Sequence, residues 1–229
     1  MEFIIIGIII LISIVVLQFI FDYNRKQLKH IGENKELDEL AKKYPSNIDM
    51  CKEYLKKLKN EKVKIEENDN AEASLYIAVT DKILIANIQK SYTRIQTIAH
   101  ECLHSIQSRK LLLFNFVFSN IYLLYFVLIC GLLIFKVLPY KMMFLVIFLI
   151  LSMIYYLVRV FLENDAMIKA RFLAKEYMEE KQISSKEEIE KIVKEFDKIN
   201  SVGIKCINYH FFLEIMIKTL IISILCFVF

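Results

Sequence analysis

The sequence predicts a mainly α-helical membrane protein, with about four transmembrane helices and a small α+β polar part. Three observations carry this reading. The 229 residues are 56% hydrophobic and yet 24% charged, too apolar for an ordinary soluble domain. The charge is segregated, because nearly charge-free stretches alternate with segments dense in Lys and Glu. Only 4 Gly and 2 Pro are present, which excludes a disordered or collagen-like chain.

Residues 3–21 carry no charge and are long enough to cross about 30 Å of hydrocarbon as a helix. Glu2 precedes this run and Asp22, Tyr23, Asn24, Arg25 and Lys26 follow it, unlike the basic leader and small-residue cleavage site of a signal peptide. An uncleaved anchor is expected. Residues 111–135 form the second span and Met142 to Phe161 the third, with Lys136, Pro139 and Lys141 between them as the turn of a tight hairpin. The last apolar stretch, Phe211 to Phe229, contains Glu214 and Lys218 one helical turn apart, where they can pair. It is read as a fourth span, with an interfacial or re-entrant helix as its alternative.

Basic residues set the orientation. Arg25, Lys26 and Lys29 follow the first span, Arg109 and Lys110 precede the second, and Arg159, Lys169 and Arg171 lie at the end of the third; the opposite loop holds only Lys136 and Lys141. The positive-inside rule then puts the N-terminus outside and both polar segments in the cytoplasm of a multi-pass plasma-membrane protein. The expected organisation is an anchor (1–21), a cytoplasmic segment (22–110), a transmembrane hairpin (111–161), a second cytoplasmic segment (162–210) and a transmembrane or interfacial helix (211–229).

Within the first polar segment, Glu33 to Lys43 and Ser46 to Asn60 have helical patterning, separated by Pro45. Val63–Ile65, Ala73–Thr80 and Ile83–Ala86 are β-rich runs separated by turn residues, which predicts a small antiparallel sheet. Ser91 opens a helix through TRIQTIAHECLHSIQSRK that is expected to continue into the second span. After the third span, ENDAMIKARFLAKEYMEE is helical, and Ser184 or Ser185, each three residues before a Glu, caps a further helix ending near Gly203.

The net charge of +4 is small and mixed with acid, and no basic stripe with interleaved aromatics is present, which argues against a nucleic-acid partner. The five Cys form no CxxC pair, so neither a disulfide framework nor a Cys-based zinc knuckle is expected.

The chemistry is concentrated in His100-Glu101-Cys102-Leu103-His104, an HExxH sequence on a predicted helix. Positions i and i+4 share one helical face, so both imidazoles can reach one Zn²⁺ at about 2.0–2.1 Å. Glu101, rotated off that face, can act as general base toward a zinc-activated water. The alternative is an ordinary helix carrying two His. Polar residues surround the motif, unlike an intramembrane protease helix, and Cys102 points away from the metal face into core packing. A catalytic zinc needs a third protein ligand, and Glu163 follows the hairpin that returns the chain to the membrane face it left shortly after His104. As a lone Glu it is otherwise a solvated residue complementing a helix dipole.

AHECLHSIQ, then two spans, then ENDAMIKA resembles the YugP-type bacterial membrane zinc metallopeptidases, the neutral zinc metallopeptidase family, where HExxHxIQ and an ExDA segment after a transmembrane hairpin recur. The sequence is more distantly similar to the HtpX and CAAX prenyl protease group, with its ExxAD motif. The resemblance covers the chain from the first span to about Ala174. It implies a zincin-like fold around the HExxH helix, one Zn²⁺ per chain held by His100, His104 and Glu163, and Glu101 as general base. Met167 stands where the ExxAD group has Asp, which leaves Asp165 as the candidate carboxylate for orienting a zinc-bound His. His210, near the mouth of the fourth span, is a further catalytic candidate as a donor to a tetrahedral oxyanion; otherwise it is an interfacial side chain.

The expected activity is therefore zinc-dependent endopeptidase action on a peptide or protein substrate near the bilayer. Substrate would add as a strand along Ile83–Ala86 or Leu75–Val79. Two other classes compete: a catalytically inactive membrane scaffold or regulator retaining the motif, and a sensor whose zinc orders the helices through a closed four-ligand site, with His30 and His210 the only spare His.

Overall fold

The computed structural model describes residues 1–21, 30–68, 70–71 and 73–229. Asp22 to Lys29, including the basic residues Arg25, Lys26 and Lys29, lie outside the described residues, as does Asp69 in the predicted turn between the first two strands. Among the described residues, seven helices and three strands follow in the order α1 (Glu2–Ile20), α2 (Lys35–Lys42), α3 (Asn47–Lys57), β1 (Lys64–Asn68), β2 (Leu75–Ile77), β3 (Lys82–Ala86), α4 (Arg94–Ile106), α5 (Arg109–Ile134), α6 (Lys141–Lys181) and α7 (Lys186–Val228). The chain divides into two compact units.

One unit comprises Met1–Tyr23, Phe114–Phe161 and Lys205–Phe229. Its helices α1, α5, α6 and α7 are each long and apolar enough to cross a membrane. On α1 only Ile10 is buried, so nearly the whole helix is apolar surface, as expected of a span facing lipid. The core of this unit is an aromatic stack: Tyr122 lies 5.2 Å from Phe148 and 4.8 Å from Tyr155 between ring centroids, with Leu133, Leu145, Ile215 and Ile222 packed in the same cluster. The α5–α6 connection turns through Lys136 and Tyr140, both with positive φ, and so forms the expected hairpin.

The other unit comprises Asn24–Leu113 and Leu162–Ile204. Asn34 caps α2 by accepting from the Leu37 N–H at 3.3 Å, and Ser46 caps α3 by accepting from Asp49 at 3.2 Å. The chain between α2 and α3 is gathered by Arg94 at the start of α4. Its guanidinium is fully buried and donates to the carbonyls of Ala41, Tyr44 and Pro45 and to Asn47 Oδ1, at 2.7–3.1 Å. Four hydrogen bonds make burial of this charge tolerable and tie the end of α2 to the start of α4. Behind it, Tyr54, Leu55, Ile83, Ile95, Ile98, Ala170 and Phe196 belong to one core.

The structure changes three expectations and joins two helical segments. The sheet is mixed, with strand order β1-β3-β2: β3 pairs antiparallel with β2 and parallel with β1. A tight turn through Asp81, at positive φ, fixes the β2–β3 hairpin, while the longer link from Asn68 to Leu75 carries β2 to the far side of β3. Next, α4 does not continue into the second span: Gln107 adopts extended backbone at φ −64° and ψ 162°, and Ser108 Oγ accepts from Leu111 N at the start of α5. The third span and the ENDAMIKA segment form one helix, α6. Finally, α7 does not end near Gly203 but runs through it to Val228, so the boundary expected at residues 210 and 211 falls inside one helix. Gly203 keeps negative φ, and its side-chain-free surface is buried. The capping box at the start of α7 does form, through Ser185 and Glu188, each side chain accepting from the other's N–H.

Candidate metal centre

The motif helix α4 is amphipathic in the required sense. Ile95, Ile98, Ala99 and Cys102 are fully buried on its core face, while the His100 and His104 rings stand one turn apart beside them. Cys102 packs as expected, its Sγ 3.6 Å from Cys51 Sγ on α3, and both remain free thiols. The His100 and His104 rings meet edge to face at 4.6 Å, which brings their Nε2 atoms within 3.0 Å.

Glu163, on the segment of α6 within this unit, completes the group. Its Oε2 lies 3.5 Å from His100 Nε2 and 3.6 Å from His104 Nε2. These three residues form a set that could hold a metal ion. Donors at about 2.0–2.1 Å around a tetrahedral ion stand about 3.3–3.4 Å from one another, and the three separations here bracket that value. The donor set fits one metal ion, and two imidazoles with a carboxylate are ligands that zinc accepts readily.

The electrostatics follow from burial and mutual contact. Burial would raise Glu163, but the neighbouring His100 and His104 overcome it and hold the carboxyl well below the usual carboxylate range. Burial would likewise lower His104, yet its contacts with Glu163, the charge of Glu101 and the bond to Gln107 leave it raised. Glu101 is only 6% exposed; burial raises its proton affinity, and the neighbouring His side chains offset this only in part. The Tyr76 backbone on the edge strand β2 favours the charged form of the Glu101 carboxylate, which sets that strand beside the motif helix.

Asp165 does not touch either His. It accepts from Gln107 Nε2 at 3.1 Å and pairs with Lys169 at 2.6 Å, and Gln107 Oε1 lies 2.8 Å from His104 Nδ1. His210 lies on α7 in the helical unit, exposed, with its ring 6.2 Å from that of Phe211, and is not a member of the donor set. Gln107 and the Tyr76 main chain received no role from sequence. The signal for Gln107 was its position three residues after the second His; nothing in the sequence pointed to Tyr76.

Comparison of the chain with protein-family models, with curated proteins and with solved structures finds no match.

Proposed function

We propose that this protein is a membrane-embedded zinc-dependent endopeptidase, of the YugP type that its sequence resembles. The observation that carries the proposal is the convergence of His100, His104 and Glu163 from two helices, with buried Glu101 and an edge strand beside them. A zinc ion held by the three donors would supply Lewis-acid chemistry toward water and a scissile carbonyl. Among the described residues the group offers three protein ligands, the number found in catalytic centres that keep a position for water. This favours hydrolysis over the closed sensor site.

The remaining work falls to the chain's own groups. Glu101 accepts a proton from the attacking water and returns it to the leaving amine. Glu163 stays ionised beside the two imidazoles. An extended peptide binds along β2, an edge of the sheet; β3 is paired on both sides and Ile83–Ala86 is therefore unsuitable. Arg109, Lys110, Arg159, Lys169 and Arg171 flank the spans and support a cytoplasmic site by the positive-inside rule. The substrate is then a peptide or protein near the cytoplasmic face.

The test is elemental analysis of detergent-purified wild type and Glu163→Ala, with cleavage of an unfolded protein by wild type and Glu101→Gln. The expected result is one zinc per wild-type chain, strongly reduced in Glu163→Ala, and cleavage lost in Glu101→Gln with zinc retained. Wild type without zinc after metal-replete purification would instead favour the scaffold reading.

A further inference from the structure

Gln107 occupies the break between α4 and α5, where the extended backbone lets its side chain fold back over the last turn of α4. The amide then has three neighbours: His104 Nδ1 at 2.8 Å, Leu162 O at 2.9 Å and Asp165 Oδ2 at 3.1 Å. A carbonyl and a carboxylate can only accept, so the amide must turn its NH₂ to both of them. That spends both amide hydrogens and leaves Oε1, an acceptor, facing His104. Nδ1 must therefore carry the proton, and Nε2 of the neutral ring keeps its lone pair. This is the nitrogen 3.0 Å from His100 Nε2 and 3.6 Å from Glu163 Oε2.

We propose that Gln107 is a positioning residue of the metal centre, relaying Asp165 to His104 and locking that imidazole as the Nδ1–H tautomer with Nε2 presented to the ion. The proposal rests on the metal-centre reading above and adds how one ligand is held. A carboxylate or carbonyl bonded directly to the outer nitrogen of a metal-binding His commonly does this work. Here Asp165 acts through an intervening amide. One turn of α6 thus supplies a metal donor through Glu163 and both anchors of the relay through Leu162 and Asp165. Lys169 holds the far oxygen of Asp165 at 2.6 Å.

The relay predicts an order of effects. Gln107→Leu removes the acceptor and lowers zinc affinity by about 10–100-fold. Gln107→Glu keeps an acceptor for His104 but sets oxygen against Leu162 O and Asp165, and lowers affinity as well. Asp165→Asn has the smallest effect, below about 10-fold, because Leu162 O still orients the amide.

The experiment uses full-length protein in detergent. Competition against a chromophoric chelator measures zinc affinity, and ¹⁵N spectra of metal-free, ¹⁵N-histidine-labelled protein, at a pH where His104 is neutral, read its tautomer; His104→Gln assigns the signal. Wild type should show the Nδ1–H form, with Nε2–H appearing in Gln107→Leu alongside weaker zinc binding. Asp165→Asn and Gln107→Glu supply conservative tests should the Leu variant fold poorly. Zinc binding in Gln107→Leu equal to wild type, or an Nε2–H tautomer in wild type, would overturn the proposal while leaving the metal centre standing. Wild type that takes up no zinc would overturn the metal centre and the positioning role together, whatever the tautomer.

Discussion

Each unit of the molecule carries a pair of titratable side chains at i and i+4 on a helix, and the two pairs behave oppositely. In the helical unit, Lys218 reaches Glu214 at 2.5 Å, Tyr155 OH donates to the other Glu214 oxygen at 3.2 Å, and the ammonium sits over the Tyr122 ring at 4.7 Å. Opposite charges one turn apart satisfy each other, which lowers the cost of placing them in an apolar span. In the polar unit, His100 and His104 have the same spacing but cannot both use their Nε2 lone pairs on one another. They require a third party, and Glu163 with a cation would supply it. The spacing is common to both pairs; the chemistry of the side chains decides whether the pair is closed or open.

This contrast can be broken experimentally. The largest expected effect is on the open pair: His100→Ala or His104→Ala each lowers zinc affinity by more than about 100-fold, since loss of a ligand should exceed loss of a group that merely orients one. The double variant should bind zinc more weakly still, as read by chelator competition. A variant retaining tight zinc binding would show that the pair is not the metal site. An intermediate effect is expected at the closed pair. Lys218→Met leaves Glu214 without its partner in an apolar helix and destabilises the protein by about 3 kcal/mol, whereas Glu214→Gln/Lys218→Met recovers most of that loss. Thermal unfolding in detergent measures both, and a double variant as unstable as the single one would end the idea of mutual neutralisation. The smallest effect is at Cys102, between the two His. Cys102→Ala should cost about 1 kcal/mol of stability through lost packing while leaving zinc affinity unchanged.

Much of the helical unit was legible before any tertiary structure. A span is a local property, written in the length and apolarity of a single stretch, and four helices meet that criterion. The same holds for the Ser185 capping box and the placing of HExxH on a helix. Where sequence reasoning went astray, a nonlocal contact was in control. The β-rich runs identified strands, but their pairing depended on which side of β3 the Asn68–Leu75 link delivered β2. Gly203 carried a helix-end signal, yet α7 continues because that surface is buried in packing, and tertiary burial outweighs a modest local propensity. The break at Gln107 was missed for a similar reason: its side chain is held by Leu162 and Asp165, residues far away in the chain.

The candidate metal centre divides along the same line. The sequence by itself determined the apolar spans and the one-turn spacing of His100 and His104, since both follow from helical geometry within a few residues. It also brought Glu163 forward as a candidate, through the hairpin that reverses the chain. Only the tertiary structure decided that Glu163 reaches both imidazoles, that Asp165 and His104 both bond to Gln107 and that β2 is the edge beside Glu101. These are contacts between elements distant in sequence. Their geometry is set by how side chains fill a shared core, and no local period records that.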